Sequence, residues 1–494
     1  MSLISVNNLT FAYDGNYDNI FEDVSFQIDT DWKLGFTGRN GRGKTTFLNL
    51  LQGKYEYKGT ISGKTSFDYF PFEIEDKSAM TIEAVDQVVP NYQYWQLVRE
   101  LNYLEIPEEV LYRPFDTLSG GEQTKVLLAA LFLKEDSFLL IDEPTNHLDM
   151  NARQIVSDYL CSKKGFILVS HDRVFLDNCV DHILSINKTN IEIQKGNFST
   201  WYYNKELQDS YEMTENEKLL RNIKSMETAA RRTARWSDTV EKRKSRNQNR
   251  DAGVKPDKGH IGAQAAKMMK RSILTQERKA KAIEEKSKLL KNIERADSLK
   301  IHPLTYHTDP LITFENLSII YGNIPIFEGL TFEIKQGERI ALQGRNGCGK
   351  SSIIKLICGY DIPFEGTIRK GSGLKISYVS QDTSALSGSL SEYAAHKGID
   401  ETLFKTILRK LDFSRVQFEK RIEDYSGGQK KKVLIAASLC EEAHLYVWDE
   451  PLNYIDVISR MQIEELLGEY QPTMLFVEHD QAFLESTATR IVTF

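Results

Sequence analysis

One octapeptide pattern, met twice, most constrains what this chain can fold into. GRNGRGKT runs from Gly38 to Thr45 and GRNGCGKS from Gly344 to Ser351, a shift of 306 residues. Ser-Gly-Gly recurs at Ser119, Gly120, Gly121 and at Ser426, Gly427, Gly428, a shift of 307. A histidine after an apolar run recurs at His171 and His479, a shift of 308. Features repeated at a nearly constant offset mean a duplicated domain. The 494 residues thus divide into two copies and a connecting stretch, and 41% apolar content is ample for a core in each.

Each octapeptide has the P-loop spacing. Its glycines (Gly38, Gly41, Gly43; Gly344, Gly347, Gly349) and its asparagine (Asn40; Asn346) let backbone N–H groups turn toward phosphate. The helix that follows starts there with its positive end. Lys44 and Lys350 reach for the β- and γ-phosphates of ATP, the Thr45 and Ser351 hydroxyls suit Mg²⁺, and Thr46 and Ser352 beside them are expected to bind the nucleotide. Further on, the apolar strand Phe138–Ile141 delivers Asp142 and Glu143, and the run Leu445–Trp448 delivers Asp449 and Glu450. The aspartates suit Mg²⁺ and the glutamates suit polarising a water, with His171 and His479 placed to sense the γ-phosphate. Asn146, His147 and Asp149, like Asn453 and Asp456, follow the carboxylates. Tyr13 and Tyr321, upstream of the loops, fit either a purine-stacking ring or a core aromatic on an edge strand. Strand–helix alternation around a P-loop implies an α/β fold of largely parallel strands.

Between the copies, residues 205–300 contain a single proline, Pro256, with Gly253, Gly259 and Gly262 around it. Apolar residues recur at helical spacing on both sides, which reads as a helical hairpin. Its outgoing arm, about 40 residues at ~1.5 Å each, reaches roughly 60 Å. Residues 221–280 carry 17 Lys+Arg against 6 Asp+Glu, a net of +11, whereas the whole chain is −7 and the remainder therefore −18. A basic rod on an acidic body fits a polyanionic partner; a solvated coiled-coil face is the plainer alternative. The expected division is 1–204, 205–300 and 301–494.

Elsewhere the sequence excludes more than it adds. The longest apolar runs, such as Val126–Leu133, are too short to span a membrane. MSLISVNNLTF lacks the pattern of a secretory signal, and no further segment is expected after Phe494. Cys161, Cys179, Cys348, Cys358 and Cys440 lack CxxC spacing and are expected to be reduced and mostly buried.

The ordered set of P-loop, LSGGE, strand-Asp-Glu, HLD and strand-His resembles the nucleotide-binding domain of the ATP-binding-cassette superfamily. The resemblance implies that each signature caps ATP held by the other half. One composite site then combines Lys44, Thr45, Asp142, Glu143 and His171 with Ser426, Gly427 and Gly428. The other combines Lys350, Ser351, Gln381, Asp449, Glu450 and His479 with Ser119, Gly120 and Gly121. One position departs from the family pattern: Phe72 stands where a Mg²⁺-ligating glutamine is expected, whereas Gln381 keeps it.

Two cassettes on one chain with a long basic linker resemble the ABC-F branch. Phe11-Ala12-Tyr13-Asp14, Trp32-Lys33-Leu34-Gly35, Arg113-Pro114-Phe115 and Trp448 to Tyr454 are most similar to the Lsa-type antibiotic-resistance proteins. That likeness implies a cytoplasmic monomer with its two ATPase domains paired. It further implies insertion of the linker into the bacterial ribosome, against ribosomal RNA and P-site tRNA, and protection from lincosamides, pleuromutilins and streptogramin A. The hairpin tip, Val254, Lys255, Pro256 and Asp257, would act on RNA, since no Phe, Tyr or Trp occurs from Ser237 to Ser298. A housekeeping translation factor of the same branch, or the ATPase of a drug exporter with a separate membrane partner, are the alternatives.

Overall fold

The computed structural model describes residues 2–13, 19–134, 137–146, 148–186, 191–246, 299–321 and 324–494. The chain divides into two compact units, Met1–Trp201 with Ala296–Phe494, and Tyr202–Arg295. The first unit contains both copies of the repeat.

Each copy has the same two kinds of sheet. In the first, Leu3–Phe11 pairs antiparallel with Phe21–Asp29 on one edge and with Lys58–Ser62 on the other. A second sheet runs in the order Ser66–Phe70, Ser137–Asp142, Phe166–Val169, Lys33–Thr37, His182–Ile186 and Ile191–Lys195. All neighbours are parallel except the last pair. In the second copy Ile312–Tyr321 lies between Ile324–Ile334 and Phe364–Lys370. Its parallel sheet runs Ile376–Val379, Leu445–Asp449, Met474–Val477, Arg339–Gln343 and Arg490–Thr493. The central strands Phe166–Val169 and Met474–Val477 are buried throughout, which is why their sequences are unbroken apolar runs with no alternation.

The sheets are locked by bulky side chains. Phe47, on the helix after the first P-loop, meets the rings of Phe21, Phe26 and Phe36 with centroids 5.6–6.1 Å apart. In the second copy Phe314 and Phe332 stack at 4.5 Å. Trp448 is fully buried and its indole donates to Ser438 Oγ at 3.0 Å, so its one polar atom is satisfied.

The helix Phe198–Arg246 spans 49 residues, or roughly 73 Å at 1.5 Å per residue. It begins earlier than the expected linker because Phe198 and Trp201 are buried and anchor its first turn. The tip residues Val254, Lys255, Pro256 and Asp257, and the returning arm, lie outside the described residues. All five cysteines are free, but only Cys179 is buried, which corrects the expectation of mostly buried thiols. Cys161, Cys358 and Cys440 sit at helix C-terminal ends and Cys348 in a phosphate loop, positions where a side chain is only half covered.

Charge is also buried in the second copy. Lys432 and Asp456, 5% and 1% exposed, form an ion pair at 2.7 Å, and Lys432 also donates to Leu411 O at 2.8 Å. Burial alone would raise the Asp456 pKa, but the Lys432 ammonium outweighs it and holds the carboxyl well below its ordinary range. The stabilisation is therefore complete above the ordinary aspartate pKa of about 4 and is lost only as the pH falls below it. Lys432→Ala leaves the carboxylate buried and unpaired, and is expected to cost about 3–5 kcal/mol at neutral pH. Thermal unfolding followed by circular dichroism checks this; a melting temperature equal to that of the parent chain counts against it.

Candidate functional site

The chemistry-bearing residues collect at the carboxyl ends of the parallel strands, where this class of sheet presents its ligand crevice. Strand Lys33–Thr37 runs into the loop that ends at Gly43, and the helix Lys44–Leu51 starts directly after it. Gly43 has φ 94°, and a Cβ there would lie 2.6 Å from Ile20 Cγ2, so glycine is required on two counts. Lys44 Nζ donates to the carbonyls of Gly38 at 2.7 Å and Arg39 at 3.3 Å, which holds the ammonium over the loop. Lys350 does the same with Gly344 at 2.8 Å and Arg345 at 2.9 Å. The hydroxyl that follows each lysine donates to the strand-end aspartate: Thr45 Oγ1 to Asp142 Oδ2 at 3.1 Å, Ser351 Oγ to Asp449 Oδ1 at 3.2 Å. Tyr13 donates to or accepts from Thr46 Oγ1 at 2.8 Å, and Tyr321 likewise with Ser352 Oγ at 3.2 Å, both rings staying partly exposed beside the loop.

Both glutamates sit in the left-handed backbone region, with φ 51° at Glu143 and 46° at Glu450. That conformation is strained for a residue with a side chain, and each is pinned through its N–H, to Val169 O at 2.8 Å and Val477 O at 3.0 Å. Beyond the backbone the halves diverge. Glu450 Oε2 accepts from Gln381 Nε2 at 2.9 Å and from Asn453 Nδ2 at 2.6 Å, with His479 Nε2 3.8 Å from Oε1. Glu143 Oε1 is buried without a hydrogen bond, His171 Nε2 standing 3.4 Å away.

The electrostatics follow. Burial and the neighbouring Asp142 push the Glu143 pKa up to about 8. Burial opposes ionisation of Glu450 too, but His479, Gln381 and Lys431 outweigh it and its pKa falls below the ordinary value. Burial beside Glu450 raises Asp449 to about 6. Burial and the Lys44 charge hold His171 well below the usual imidazole range, so it is neutral at pH 7.

Strand register identifies the cause of the divergence. Tyr69 pairs with Leu140 and Phe70 with Ile141, as Tyr378 pairs with Val447 and Val379 with Trp448. Two residues beyond, Phe72 and Gln381 are therefore equivalent. Phe72 packs edge-on against Phe70, centroids 6.3 Å apart, and brings no polar atom. A contact invisible in the sequence reading appears instead: Tyr69 OH donates to Asp142 Oδ2 at 2.9 Å.

The two copies meet at these sites. A cavity of about 770 Å³ is lined by Ser119, Gly120 and Gly121 of the first copy and by Asn346, Lys350, Ser351, Gln381, Glu450 and His479 of the second. Ser119 caps the helix Gly120–Leu131, so the N-terminus of that helix borders the cavity that holds Lys350. On the opposite side Asn40 Nδ2 donates to Tyr454 O at 2.7 Å, and a Cβ on Gly428 would lie 3.1 Å from that same Nδ2. Arg39 and Arg42 stand 3.6 and 3.8 Å from the Asp412 carboxylate. Ser426 caps the helix Gly427–Cys440 there, as Ser119 does in the first copy. Further contacts that sequence motifs do not announce cross the same boundary. Arg153 donates to Asp172 Oδ2 at 3.0 Å within its own half and to His479 O at 3.1 Å in the other, and Arg173 pairs with Glu464. His147 lies outside the described residues.

A family model described as "ABC transporter" matches residues 21–146 and again 327–453. The ribosome protection protein VmlR of Bacillus subtilis (strain 168) is 27% identical over 504 residues, which cover 98% of this chain and 85% of that protein. The ATP-binding protein Uup of Buchnera aphidicola subsp. Acyrthosiphon pisum (strain APS) is 27% identical over 512 residues, 99% and 80% of the two chains. An archaeal ribosome recycling factor, solved in complex with an archaeal ribosomal stalk protein, has the same fold: TM-score 0.62 at 20% identity, over 98% of this chain and 87% of that one.

The unequal surroundings of the two glutamates generate a prediction. Glu450, ionised and held by two amides, should carry most of the ATP turnover. Glu450→Gln is expected to lower total turnover ~10-fold or more and Glu143→Gln less than about twofold. Steady-state phosphate release from the two single variants decides it, equal losses being the adverse result.

Proposed function

The chain belongs to the ABC transporter family and is an ATPase, and from that premise we propose that it works as an ABC-F protein of the bacterial cytoplasm, protecting ribosomes from antibiotics of the peptidyl-transferase region. Among the described residues no helix is long and apolar enough to cross a membrane, which leaves an exporter role dependent on a separate partner. The observation that carries the reading is the cavity in which the first copy's Ser119–Gly121 faces the second copy's Lys350 and Glu450. ATP held there touches both halves at once, so binding draws them together and hydrolysis, by removing the bridging charge, lets them part.

The roles divide among named residues. Lys44 and Lys350, with the loop N–H groups, hold phosphate; Ser119–Gly121 and Ser426–Gly428 cap the γ-phosphate across the interface. The hydroxyl and carboxylate oxygens of Thr45 with Asp142, and of Ser351 with Asp449, are hard donors already in mutual contact, a set that fits Mg²⁺. Gln381 adds an amide oxygen in the second site. When bound, Mg²⁺ supplies neutralisation of phosphate charge. Glu143 and Glu450 orient the attacking water, and His171 and His479 contact the γ-phosphate. Tyr13 and Tyr321 flank the base.

Opening and closing of the pair would drive the linker, whose net charge of +11 over residues 221–280 suits ribosomal RNA beside P-site tRNA. VmlR, named a ribosome protection protein, supports this reading. Lincosamides, pleuromutilins and streptogramin A are the drugs we assign. The equal identity to Uup, whose name records only ATP binding, means that identity does not single out protection, and a housekeeping translation factor is the second reading. Growth of susceptible bacteria expressing the chain on a panel of these drugs separates the two, since a housekeeping factor leaves every inhibitory concentration unchanged.

Two outcomes are expected. Glu143→Gln with Glu450→Gln keeps ATP binding and slows hydrolysis by 10²–10⁴. The closed form should then persist and co-sediment tightly with ribosomes in a sucrose gradient. Undiminished turnover in the double variant removes both residues from the mechanism. Replacing Val254–Asp257 by Gly-Ser of equal length should preserve ATPase activity and ribosome binding, because arms rich in Lys and Arg supply salt-dependent phosphate contacts without it. Protection should be abolished; full resistance in that variant overturns the role of the tip.

A further inference from the structure

The Asp142 carboxylate is held in a way its counterpart is not. Tyr69 OH and Thr45 Oγ1 both donate to Oδ2, at 2.9 and 3.1 Å, and no described residue donates to Oδ1. Two donors on one oxygen fix the rotamer and leave the other oxygen as the available acceptor. In the second copy Asp449 Oδ1 receives, of the described side chains, Ser351 Oγ alone. Tyr378, at the same register position as Tyr69, makes no hydrogen bond through its phenol among the described residues, and the extra polar contact goes from Gln381 to Glu450. Where the loop after the strand supplies an amide, the strand tyrosine is idle. Where that loop supplies Phe72, the strand tyrosine is engaged.

We propose that Tyr69 is a positioning residue of the first nucleotide site: its phenol, acting from the strand, orients Asp142 toward a divalent cation where Phe72 has displaced the amide. The assignment rests on the reading of Thr45 and Asp142 as the cation's ligands. It predicts a site that keeps its cation and nucleotide while its glutamate lacks the amide partner that Glu450 has. Tyr69 is half-buried with the Lys54 ammonium 5.4 Å from its ring centre, contacts that phenylalanine retains, so Tyr69→Phe removes little besides the donor.

The test is a titration of Mn²⁺ into the full chain with a non-hydrolysable ATP analogue, free Mn²⁺ being read by electron paramagnetic resonance. A Lys350→Ala background confines the analogue to the first site. Tyr69→Phe is expected to weaken Mn²⁺ binding ~10-fold, the size of a hydrogen bond to a charged group, with metal-free binding of the analogue unchanged. Adding Phe72→Gln to Tyr69→Phe should restore Mn²⁺ affinity. Tyr378→Phe, placed in a Lys44→Ala background, should leave it unaltered in the second site. Unchanged Mn²⁺ affinity in Tyr69→Phe overturns the proposal, as does an equal loss of metal-free analogue binding, which marks the phenol as a support of the fold. Asp142→Asn separates the two levels. If it too leaves Mn²⁺ affinity intact, the ligand assignment has failed; if it weakens Mn²⁺ and Tyr69→Phe does not, only the part played by Tyr69 has.

Discussion

The lysine and the helix N-terminus that border one cavity of about 770 Å³ belong to different halves of the chain. Lys350 stands on the second copy and Ser119, Gly120 and Gly121 on the first. Much of the fold serves that meeting. Buried parallel strands carry Asp142 and Asp449 to the same sheet edge as the loops, and the helices capped by Ser119 and Ser426 present their positive ends outward. A single copy displays half of the apparatus on a surface. Duplication on one chain makes the second half permanently available, because linked modules meet at an effective concentration that free ones do not reach.

From one blueprint the two sites have drifted apart by small chemical steps. The left-handed glutamate, the hydroxyl–aspartate contact and the lysine over its loop carbonyls recur in both. What differs among the described residues is the side-chain hydrogen bonding of the glutamate: two amides donate to Glu450 beside His479, whereas Glu143 has His171 beside it and no amide. A buried carboxylate with few donors is costly to ionise, and the opposite pKa directions of Glu143, one of whose oxygens has no hydrogen bond, and of Glu450 express that cost. The same backbone in two settings thus pushes one glutamate toward the protonated form and the other toward the carboxylate.

The parts of this arrangement that were legible in the sequence are those whose residues are neighbours in the chain. The loops at Gly38 and Gly344, the signatures and the apolar strands ending in carboxylates each declare themselves within eight residues. The meaning of Phe72 was readable as an absence. The engagement of Tyr69 was not, because it depends on which residue of one strand lies beside which of another, and tyrosine occupies that register position in both copies. Arg153, Asp412 and Glu464 were equally silent, since their partners lie in the other half of the chain. Burial of cysteine was overestimated for a local reason: residue type predicts the average environment, and helix ends depart from it. The linker helix begins at Phe198, where charge patterning had no signal, because two buried aromatics decide its start.

The boundary between the halves is built differently from their interiors. One buried apolar cluster gathers Phe36, Phe47, Leu140 and Val169 of the first half, and two others gather Phe404, Trp448 and Phe476, and Phe314, Ile354 and Val477, of the second; of the described first-half residues only Met150 packs on either of these last two. Across the boundary run Arg153 to a carbonyl, Arg173 to Glu464, Arg39 and Arg42 toward Asp412, and Asn40 to Tyr454. Part-buried ion pairs repay little more than the desolvation they cost, so such a surface gives orientation without strong adhesion. A wholly apolar boundary would bind the halves regardless of nucleotide. Polar contacts of nearly balanced free energy leave the decision to whatever occupies the cavities, and the proposed cycle of closure on ATP and opening after hydrolysis requires that the interface be poor at holding itself shut.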